Sequence, residues 1–381
     1  MSPLRLTRRD FVGSVGAVLG TSLLTRRPAE AAAPSSVGAH PALSPVRLDS
    51  NENPYGPSAR ALEAMGRARS VAARYPDDLE NRVTETLAKL HGVQPENILL
   101  GCGSGEILRM ADMAFLTPGR TVVAAEPTFE AVLAYARVTR AESTKVPLTA
   151  DFRHDLPRMA AACDERTGLV YVCNPNNPTG TIVKRDELAT FAAAVPMSAV
   201  LLVDEAYHHF VENPGYASAV EWIGKQPNLI VVRTFSKIYG LAGMRLGYAV
   251  GPKDRIEAMR PHKTWSNANA AVLEAALVSL DDADHVPKQR RLMNDTRRWL
   301  CSELQKDGRR TIPSETNFVM IDVGGDVGDL IDALRSRRVL VGRRFAALPN
   351  WLRVSIGTRE ETAVFLAALR DVVPAKGRKA A

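Results

Sequence analysis

Lys237 lies in a glycine-rich run whose composition favours covalent chemistry on a phosphorylated ligand. The run 236–247 reads SKIYGLAGMRLG and follows an apolar stretch of strand length. A lysine amine can form a Schiff base with a carbonyl group, and Arg245, eight residues further on, offers a bidentate clamp for a phosphate. A solvated surface lysine is the simpler interpretation, but three more polar motifs follow strand-like segments in the same chain.

These three motifs occupy the positions where open α/β sheets bind ligands. The run 101–106, GCGSGE, joins flexible glycines to a helix start, whose free N–H groups attract anions. The run 173–180, CNPNNPTG, forms a rigid loop that could aim Asn177 into a site, and Asp204 could pair with a positively charged ring nitrogen. Taken singly, each motif also fits a structural role: a strand-to-helix turn, a proline turn or a helix cap.

The strands and helices that must position these residues are indicated by two alternating hydrophobic patterns. From about 66 to 250, apolar runs of strand length alternate with amphipathic segments of helix length, which predicts an α/β fold with a parallel sheet covered on both faces. The predicted strands there are 97–100, 121–124, 169–172, 200–203, 229–232 and 248–250. Helical stretches at 269–280 and 288–305 lead to strands at 318–322, 340–342 and 351–355.

This order predicts a large domain and a smaller one. The large domain is expected over 66–262, and an interdomain helix with a small α+β domain over 263–375. The proline-rich segment 34–65 is expected to join the small domain, and 376–381 is a basic tail.

Composition excludes several classes of function. With 45% hydrophobic and 24% charged residues, the 381-residue chain is an ordinary globular protein. Residues 1–31 contain five arginines and two acidic residues, which gives a charge of +3, and three basic residues in the tail give another +3. Of the net charge of +7, residues 32–375 therefore carry only about +1. A nucleic-acid partner is therefore not indicated. The four cysteines form no CxxC pair, which argues against a disulfide scaffold or a cysteine-bound metal.

Residues 1–33 resemble a signal peptide. The pair Arg8-Arg9 precedes an uncharged stretch over 11–25 and a small-residue run over 29–33, which predicts export by the twin-arginine pathway. The apolar stretch is shorter than the roughly 20 residues of a membrane span. The mature form is therefore expected to have no stable membrane span and to be periplasmic or secreted. If the signal is misread, a cytoplasmic location follows.

Taken together, the motifs resemble the class I/II aminotransferases of fold type I, which depend on pyridoxal 5'-phosphate, and above all the histidinol-phosphate aminotransferases. The shared segments cover about 46 to 370 in the family's order; they include DSNENPYGPS (49–58), RYPD (74–77), GCGSGE, EPTF (126–129), CNPNNPTG, VDEAYHHF (203–210), RTFSKIYGLAGMRLGY (233–248), SETNFV (314–319) and LRVSIGT (352–358). The resemblance implies a large domain with a mostly parallel seven-stranded sheet and a smaller α+β domain.

It also implies roles for individual residues. Lys237 would bond to the cofactor aldehyde and carry the proton during turnover. Asp204 would pair with the pyridinium nitrogen and keep the ring an electron sink, while Asn177 and Tyr207 would hydrogen-bond its 3-hydroxyl. The remaining cofactor contacts would be stacking by Phe129 and phosphate binding by Gly103, Ser104, Ser236, Arg245 and, from the neighbouring subunit of a homodimer, Tyr75.

The substrate site is less fully determined. The resemblance assigns the substrate anion to Arg353, with Arg343 and Tyr55 as further candidates. Family members commonly carry a tyrosine where this chain has Val46, and their second substrate arginine falls on Gly342, followed here by Arg343 and Arg344. The expected substrates are a small-molecule amino donor, either an amino acid or an amino phosphate, and a 2-oxo acid acceptor.

Two other functions stay open at this stage. One is a lyase of the same fold, such as a phosphothreonine-type decarboxylase, because the motifs do not show which bond breaks. The other is a non-catalytic binding protein that has kept the fold, which the intact Lys237, Asp204 and Arg353 argue against.

Overall fold

The computed structural model describes residues 44–373, and their central feature is a seven-stranded sheet. Its strands are β2 (Ile98–Gly101), β3 (Thr121–Glu126), β4 (Glu142–Pro147), β5 (Thr167–Cys173), β6 (Val200–Asp204), β7 (Leu229–Thr234) and β8 (Gly247–Val250). Their spatial order is β2-β8-β7-β6-β5-β3-β4, and β8 runs antiparallel to both of its neighbours whereas the other pairs are parallel.

Helices cover both faces of this sheet, which explains the continuous apolar character of its middle strands. Every residue of β5, β6 and β7 is buried. One face packs against α3 (Ser104–Phe115), α4 (Ala131–Val138) and α7 (Lys253–Met259). The other packs against α5 (Leu156–Ala161) and α6 (Arg185–Ala194).

Two small sheets lie outside the central one. β1 (Val46–Leu48) pairs in parallel with β10 (Val339–Val341), and β9 (Phe318–Asp322) pairs antiparallel with β11 (Trp351–Ser355). The helices that accompany them and the N-terminal segment are α1 (Ala59–Arg67), α2 (Asp77–His91), α8 (Ala270–Asp281), α9 (His285–Lys306), α10 (Gly328–Ser336) and α11 (Arg359–Val372). The division into domains at 65 and 262 stays a prediction.

The strand directions bring the predicted motifs to one edge of the central sheet. β5, β6 and β7 are parallel, so the loop with Asn177, the residue Asp204 and the loop with Lys237 all leave the sheet at the same end. β2 reaches that end too, because it is antiparallel to β8, which is antiparallel to β7. A ligand site is expected at such an edge.

Two of the predicted segments lie outside the described residues: the signal-like stretch 1–33 and the basic tail 376–381. Among the described helices, none is both long and apolar enough to cross a membrane.

Candidate active site

A cavity of about 440 Å³ lies at this edge of the sheet. That volume is within the range of small-molecule sites. Ten of the predicted residues line it: Ser104, Phe129, Asn177, Asp204, Tyr207, Ser236, Lys237, Arg245, Arg343 and Arg353.

Lys237 follows β7 and carries its amine into this cavity. The Nζ atom donates to the carbonyl oxygens of Asn51 at 3.1 Å and Ser50 at 3.3 Å, and lies 5.5 Å from the centre of the Tyr207 ring. Burial, helped by the positive charge of Arg353, lowers the pKa of Lys237 to about 8. A substantial fraction of this amine is therefore neutral, and nucleophilic, near pH 8.

Asp204 is the last residue of β6 and its carboxylate is buried beneath the cavity. One oxygen accepts from the Tyr171 hydroxyl at 2.9 Å and the other from the Ala206 N–H at 3.0 Å. Burial raises the pKa of Asp204 to about 6, although these two hydrogen bonds oppose the shift. A cationic partner at the free face of this carboxylate would favour its charged form.

Arg245 and the start of α3 form a cationic corner of the cavity. The Arg245 guanidinium donates to Ala242 O at 2.8 Å and to Ser236 Oγ at 3.3 Å. Gly103 caps α3 with a φ of +78°, and a Cβ atom there would lie 2.0 Å from Arg245 Nη2. Gly103 thus permits the close approach of the guanidinium to Ser104 and the helix N-terminus, an arrangement that suits a phosphate.

Asn177, Tyr207 and Arg353 also line the cavity. Arg353 donates to Asn177 Oδ1 and to Asp49 O, both at 2.8 Å. The Tyr207 hydroxyl accepts from Asn51 Nδ2 at 3.0 Å. Arg353 lines the cavity, and each of its two terminal nitrogens carries a second hydrogen beyond these bonds, so this arginine can take an anion.

Arg343 and Phe129 lie at the mouth of the cavity. Arg343 forms an ion pair with Glu130, with 2.5 Å between Nη2 and Oε2. The guanidinium also stacks on Phe345, 4.4 Å from the ring centre. Phe129 is about one-third exposed and borders the same opening.

Of the three other predicted residues, Gly103 caps the helix at the cationic corner, whereas two are not brought to the cavity. Tyr55 packs against the hydrophobic core beside α9, with Thr296 as its hydrogen-bond partner. The Tyr75 side chain is 83% exposed and lines a separate cleft with Trp265.

Sequence reasoning missed several residues of the site. The segment 49–52 lines the cavity and supplies both carbonyl oxygens that hold Lys237. The motif of this segment is visible in the sequence, but residue types do not reveal a contact made by backbone oxygens. Tyr171, which holds Asp204, was hidden inside the apolar strand 169–172. A lone hydroxyl in a fully buried strand was the signal that could have revealed it, since such a group needs a partner.

Comparison with known proteins assigns the family. The sequence pattern of aminotransferase class I and II matches residues 44–369. The chain belongs to this family. It is 39% identical over 331 residues to the histidinol-phosphate aminotransferase of Moorella thermoacetica, covering 86% of this chain and 85% of that protein. It is 40% identical over 338 residues to histidinol-phosphate aminotransferase 2 of Methylococcus capsulatus, with 86% and 91% covered.

A solved structure supports the same assignment. Histidinol-phosphate aminotransferase from Sinorhizobium meliloti, in complex with pyridoxal-5'-phosphate, has a TM-score of 0.81 and 28% identity, covering 86% of this chain and 90% of that one. The fold-type I architecture and the dependence on pyridoxal phosphate are thereby confirmed, and the chain is an aminotransferase. The decarboxylase alternative is not favoured, because these relatives are aminotransferases.

The same relatives correct one prediction. Export through the twin-arginine pathway was predicted from residues 1–33, yet the relatives that match this chain are named as histidinol-phosphate aminotransferases. No comparison indicates an export signal, so the prediction of export is wrong.

Proposed function

We propose that this chain transaminates an amino phosphate of the histidinol phosphate class, with a 2-oxo acid as the acceptor, and that Lys237 is its nucleophile. The observation that carries the proposal is the position of the Lys237 amine in one cavity with the Asp204 carboxylate and the Arg245 guanidinium. The names of the relatives support the class of amino donor.

The residues of the cavity fit pyridoxal phosphate. Arg245, Ser236 and the N-terminus of α3 at Ser104 would hold its phosphate, in the corner that only a glycine at 103 leaves open. Asp204 would face the ring nitrogen, Asn177 and Tyr207 the 3-hydroxyl, and Phe129 one ring face. When bound, the cofactor supplies an electron sink for the substrate's α-carbon.

Lys237 would then serve as the proton carrier. The lowered pKa of its amine allows it to accept a proton from the substrate's α-carbon and to return it to a neighbouring atom. The carbonyl oxygens of Ser50 and Asn51 orient the amine by accepting its hydrogens. Residues of the N-terminal segment thus position the catalytic group.

Arg353 would bind the anionic end of the substrate. Asn177 and Asp49 each hold one terminal nitrogen of its guanidinium, which leaves the second hydrogens of these nitrogens for a carboxylate or phosphate oxygen. The same group can serve both substrates, because the α-carboxylate of an amino acid and the phosphate of an amino phosphate both lie close to the amine carbon.

The functional unit would be a homodimer. Tyr75 lies outside the active-site cavity of its own subunit, in an exposed cleft where Trp265 is 94% exposed. The proposal places Tyr75 against the cofactor phosphate of the neighbouring subunit.

Reductive trapping tests the nucleophile directly. Borohydride reduction of the holoenzyme should fix pyridoxyl phosphate on the peptide that contains Lys237, as seen by mass spectrometry, and Lys237→Ala should lose both this label and turnover. Lys184→Ala, which removes a lysine outside this cavity, is the matched control and should keep both. A label on another lysine, or turnover of histidinol phosphate by Lys237→Ala, contradicts the proposal.

A further inference from the structure

Asn51 connects several elements at the active-site cavity. Its side chain is buried, and its φ of +53° lies in the left-handed region that few residues other than glycine adopt. In this conformation its main-chain carbonyl oxygen accepts from the Lys237 amine at 3.1 Å and from Asn317 Nδ2 at 2.9 Å. Asparagine tolerates left-handed backbone better than most residues with a side chain, so the residue type fits this backbone.

Ser355 holds the side-chain amide of Asn51 in one orientation. Its Oγ atom accepts from the Asn51 N–H at 2.8 Å and donates its own hydrogen to Asn51 Oδ1 at 3.0 Å. The amide nitrogen therefore faces the other way, where Nδ2 donates to the Tyr207 hydroxyl at 3.0 Å. Because the Tyr207 oxygen accepts this bond, its own hydrogen is available to an acceptor in the cavity that Tyr207 lines.

The same contacts attach Asn51 to the strand that carries Arg353. Ser355 and Arg353 are two residues apart on β11 and so lie on the same side of it. Arg353 also donates to the carbonyl oxygen of Asp49, two residues before Asn51, at 2.8 Å. The segment 49–51 is thus held by β11 at both of its ends, and the Lys237 amine and the anion-binding arginine share one support.

The hydrogen bonds of Asn51 form a closed network among buried groups. Asn51, Tyr207 and Ser355 are all buried, where an unmet hydrogen bond is costly. The Asn51 N–H, carbonyl oxygen and both amide atoms each have a partner, and a fully satisfied buried network favours one arrangement of its members. Two of these partners, the Lys237 amine and the Tyr207 hydroxyl, are groups to which the proposed function gives a role.

We propose that Asn51 is a positioning residue for both Lys237 and Tyr207. Its main-chain carbonyl holds the Lys237 amine for proton transfer. Its side-chain amide, kept in place by Ser355, directs the Tyr207 hydrogen toward the ring oxygen of the cofactor. This inference rests on the proposed function, since it assigns a support to residues that act there.

The visible absorbance of the cofactor-bound enzyme as a function of pH tests the side-chain contact. A hydrogen bond to the ring oxygen favours its anionic form, so loss of the Tyr207 hydrogen should raise the midpoint of this titration by about one pH unit. Asn51→Gly, which keeps the left-handed backbone accessible, should show such a rise. Tyr207→Phe should show at least as large a rise, and the two substitutions combined should add nothing further.

Ser355→Ala tests the same contact by a second route. This variant keeps Asn51 and Tyr207 but removes the group that fixes the amide, so the midpoint should rise in the same direction by a smaller amount. The matched control is Ser279→Ala, which removes a buried hydroxyl from α8, outside the cavity. It should leave the midpoint unchanged.

The pKa of Lys237 in the cofactor-free enzyme tests the main-chain contact. It is measured from the pH dependence of acetylation of this lysine, followed by mass spectrometry. Asn51→Ala disfavours a φ of +53°, so the carbonyl should turn away and the pKa of Lys237 should fall by about half a unit or more, because the ammonium form loses an acceptor. Asn51→Gly permits this φ and should leave the pKa unchanged.

Both variants keep every other group that acts electrostatically on the Lys237 amine. These groups are Arg353, Glu52, Arg245, Asp204 and the Tyr207 ring. A difference between Asn51→Ala and Asn51→Gly therefore reports on the backbone at residue 51.

Three results would overturn the inference. One is an unshifted absorbance midpoint in both Asn51→Gly and Ser355→Ala, and another is a rise caused by Asn51→Gly that persists undiminished in the Tyr207→Phe background. The third is an equal pKa of Lys237 in Asn51→Ala and Asn51→Gly. Failure of the proposed function looks different: the unaltered enzyme would not react with histidinol phosphate, or Lys237→Ala would keep the absorbance change, whereas acetylation of Lys237 would still report on Asn51.

Discussion

Burial brings the two principal ionisable groups of the site toward the middle of the pH range. The pKa of Lys237 falls to about 8 and that of Asp204 rises to about 6, in both cases mainly because the charged form loses its water. The Lys237 amine is thus partly neutral near physiological pH, and the Asp204 carboxylate gains from a cationic partner. Such opposed shifts within one cavity are typical of active sites.

Gly103 gives the first prediction, because a single methyl group would fill the phosphate corner. In Gly103→Ala, the added Cβ would meet Arg245 Nη2 at 2.0 Å, at a φ of +78° that disfavours alanine. Displacement of the guanidinium should raise the dissociation constant of pyridoxal phosphate at least about tenfold, measured by titrating the cofactor-free enzyme.

The control for this substitution is Gly119→Ala. Gly119 has a similar φ of +86° but no atom within 4 Å of the added methyl group. It should lower the free energy of unfolding by about 1 kcal/mol through backbone strain and leave cofactor affinity unchanged. Equal cofactor affinity in Gly103→Ala and the unaltered enzyme would show that the corner does not bind phosphate.

Among the elements, the strands that sequence patterns predicted are those with an apolar run in which most residues are buried. β5, β6, β7, β9 and β11 coincide with the predicted runs to within two residues. The edge strand β4 was missed because only Val146 of its six residues is buried, so its sequence shows no apolar run. Helix α9 begins at His285, three residues before the predicted start, because Pro287 is tolerated in a first helical turn.

A second prediction concerns the buried side chain of Asp112 in helix α3. The side chain is fully buried, and in the described part of the chain neither oxygen has a hydrogen-bond partner. Burial raises its pKa to about 8. Since the folded state keeps the proton that the unfolded chain releases above pH 4, Asp112 lowers stability progressively as pH rises from about 4 to 8.

Asp112→Asn should therefore stabilise the enzyme, and more so at higher pH. The gain in the free energy of unfolding should be near zero at pH 4 and reach up to about 4 kcal/mol at pH 7, measured by urea unfolding across this range. Asp332→Asn, at an exposed helical position, should show no comparable rise. A pH-independent difference between Asp112→Asn and the unaltered enzyme would mean that Asp112 is ionised in the folded state.

On the scale of the whole molecule, the sequence indicated which motifs meet but not what holds them. Residues 103, 177, 204 and 236 were predictable because each lies at or soon after the end of a strand, and parallel strands end at one edge. Arg245 was predictable from its spacing of eight residues to Lys237. The contact of Lys237 with the carbonyl oxygens of Ser50 and Asn51 spans nearly 190 residues and uses backbone atoms, which no residue pattern reveals. The prediction that Tyr55 lines the substrate site was not met, because one motif contributes residues to two places. Asn51 lines the cavity, whereas Tyr55 packs against the core beside α9.

The exposure of Tyr75 gives the last prediction, which concerns assembly. If Tyr75 completes the site of its neighbour, Tyr75→Ala should weaken cofactor binding in a dimer although the residue lies outside its own cavity. A mixture of Tyr75→Ala and Lys237→Ala subunits should then regain activity, because each mixed dimer contains one site with an intact lysine and an intact tyrosine. With random pairing of equal amounts, about a quarter of all sites should be complete.

The measurement is the specific activity after co-refolding or co-expression of the two variants, at subsaturating pyridoxal phosphate, with sedimentation to establish the dimer. The control mixture contains Leu90→Ala in place of Tyr75→Ala, because it also removes an exposed apolar side chain. The specific activity of Leu90→Ala mixed with Lys237→Ala should fall in proportion to the fraction of Lys237→Ala subunits. If the Tyr75→Ala mixture also shows only dilution, Tyr75 acts within its own subunit or not at all. Recovery above dilution requires a tyrosine that crosses between subunits, because a residue acting in its own chain cannot be supplied by a partner whose lysine is missing.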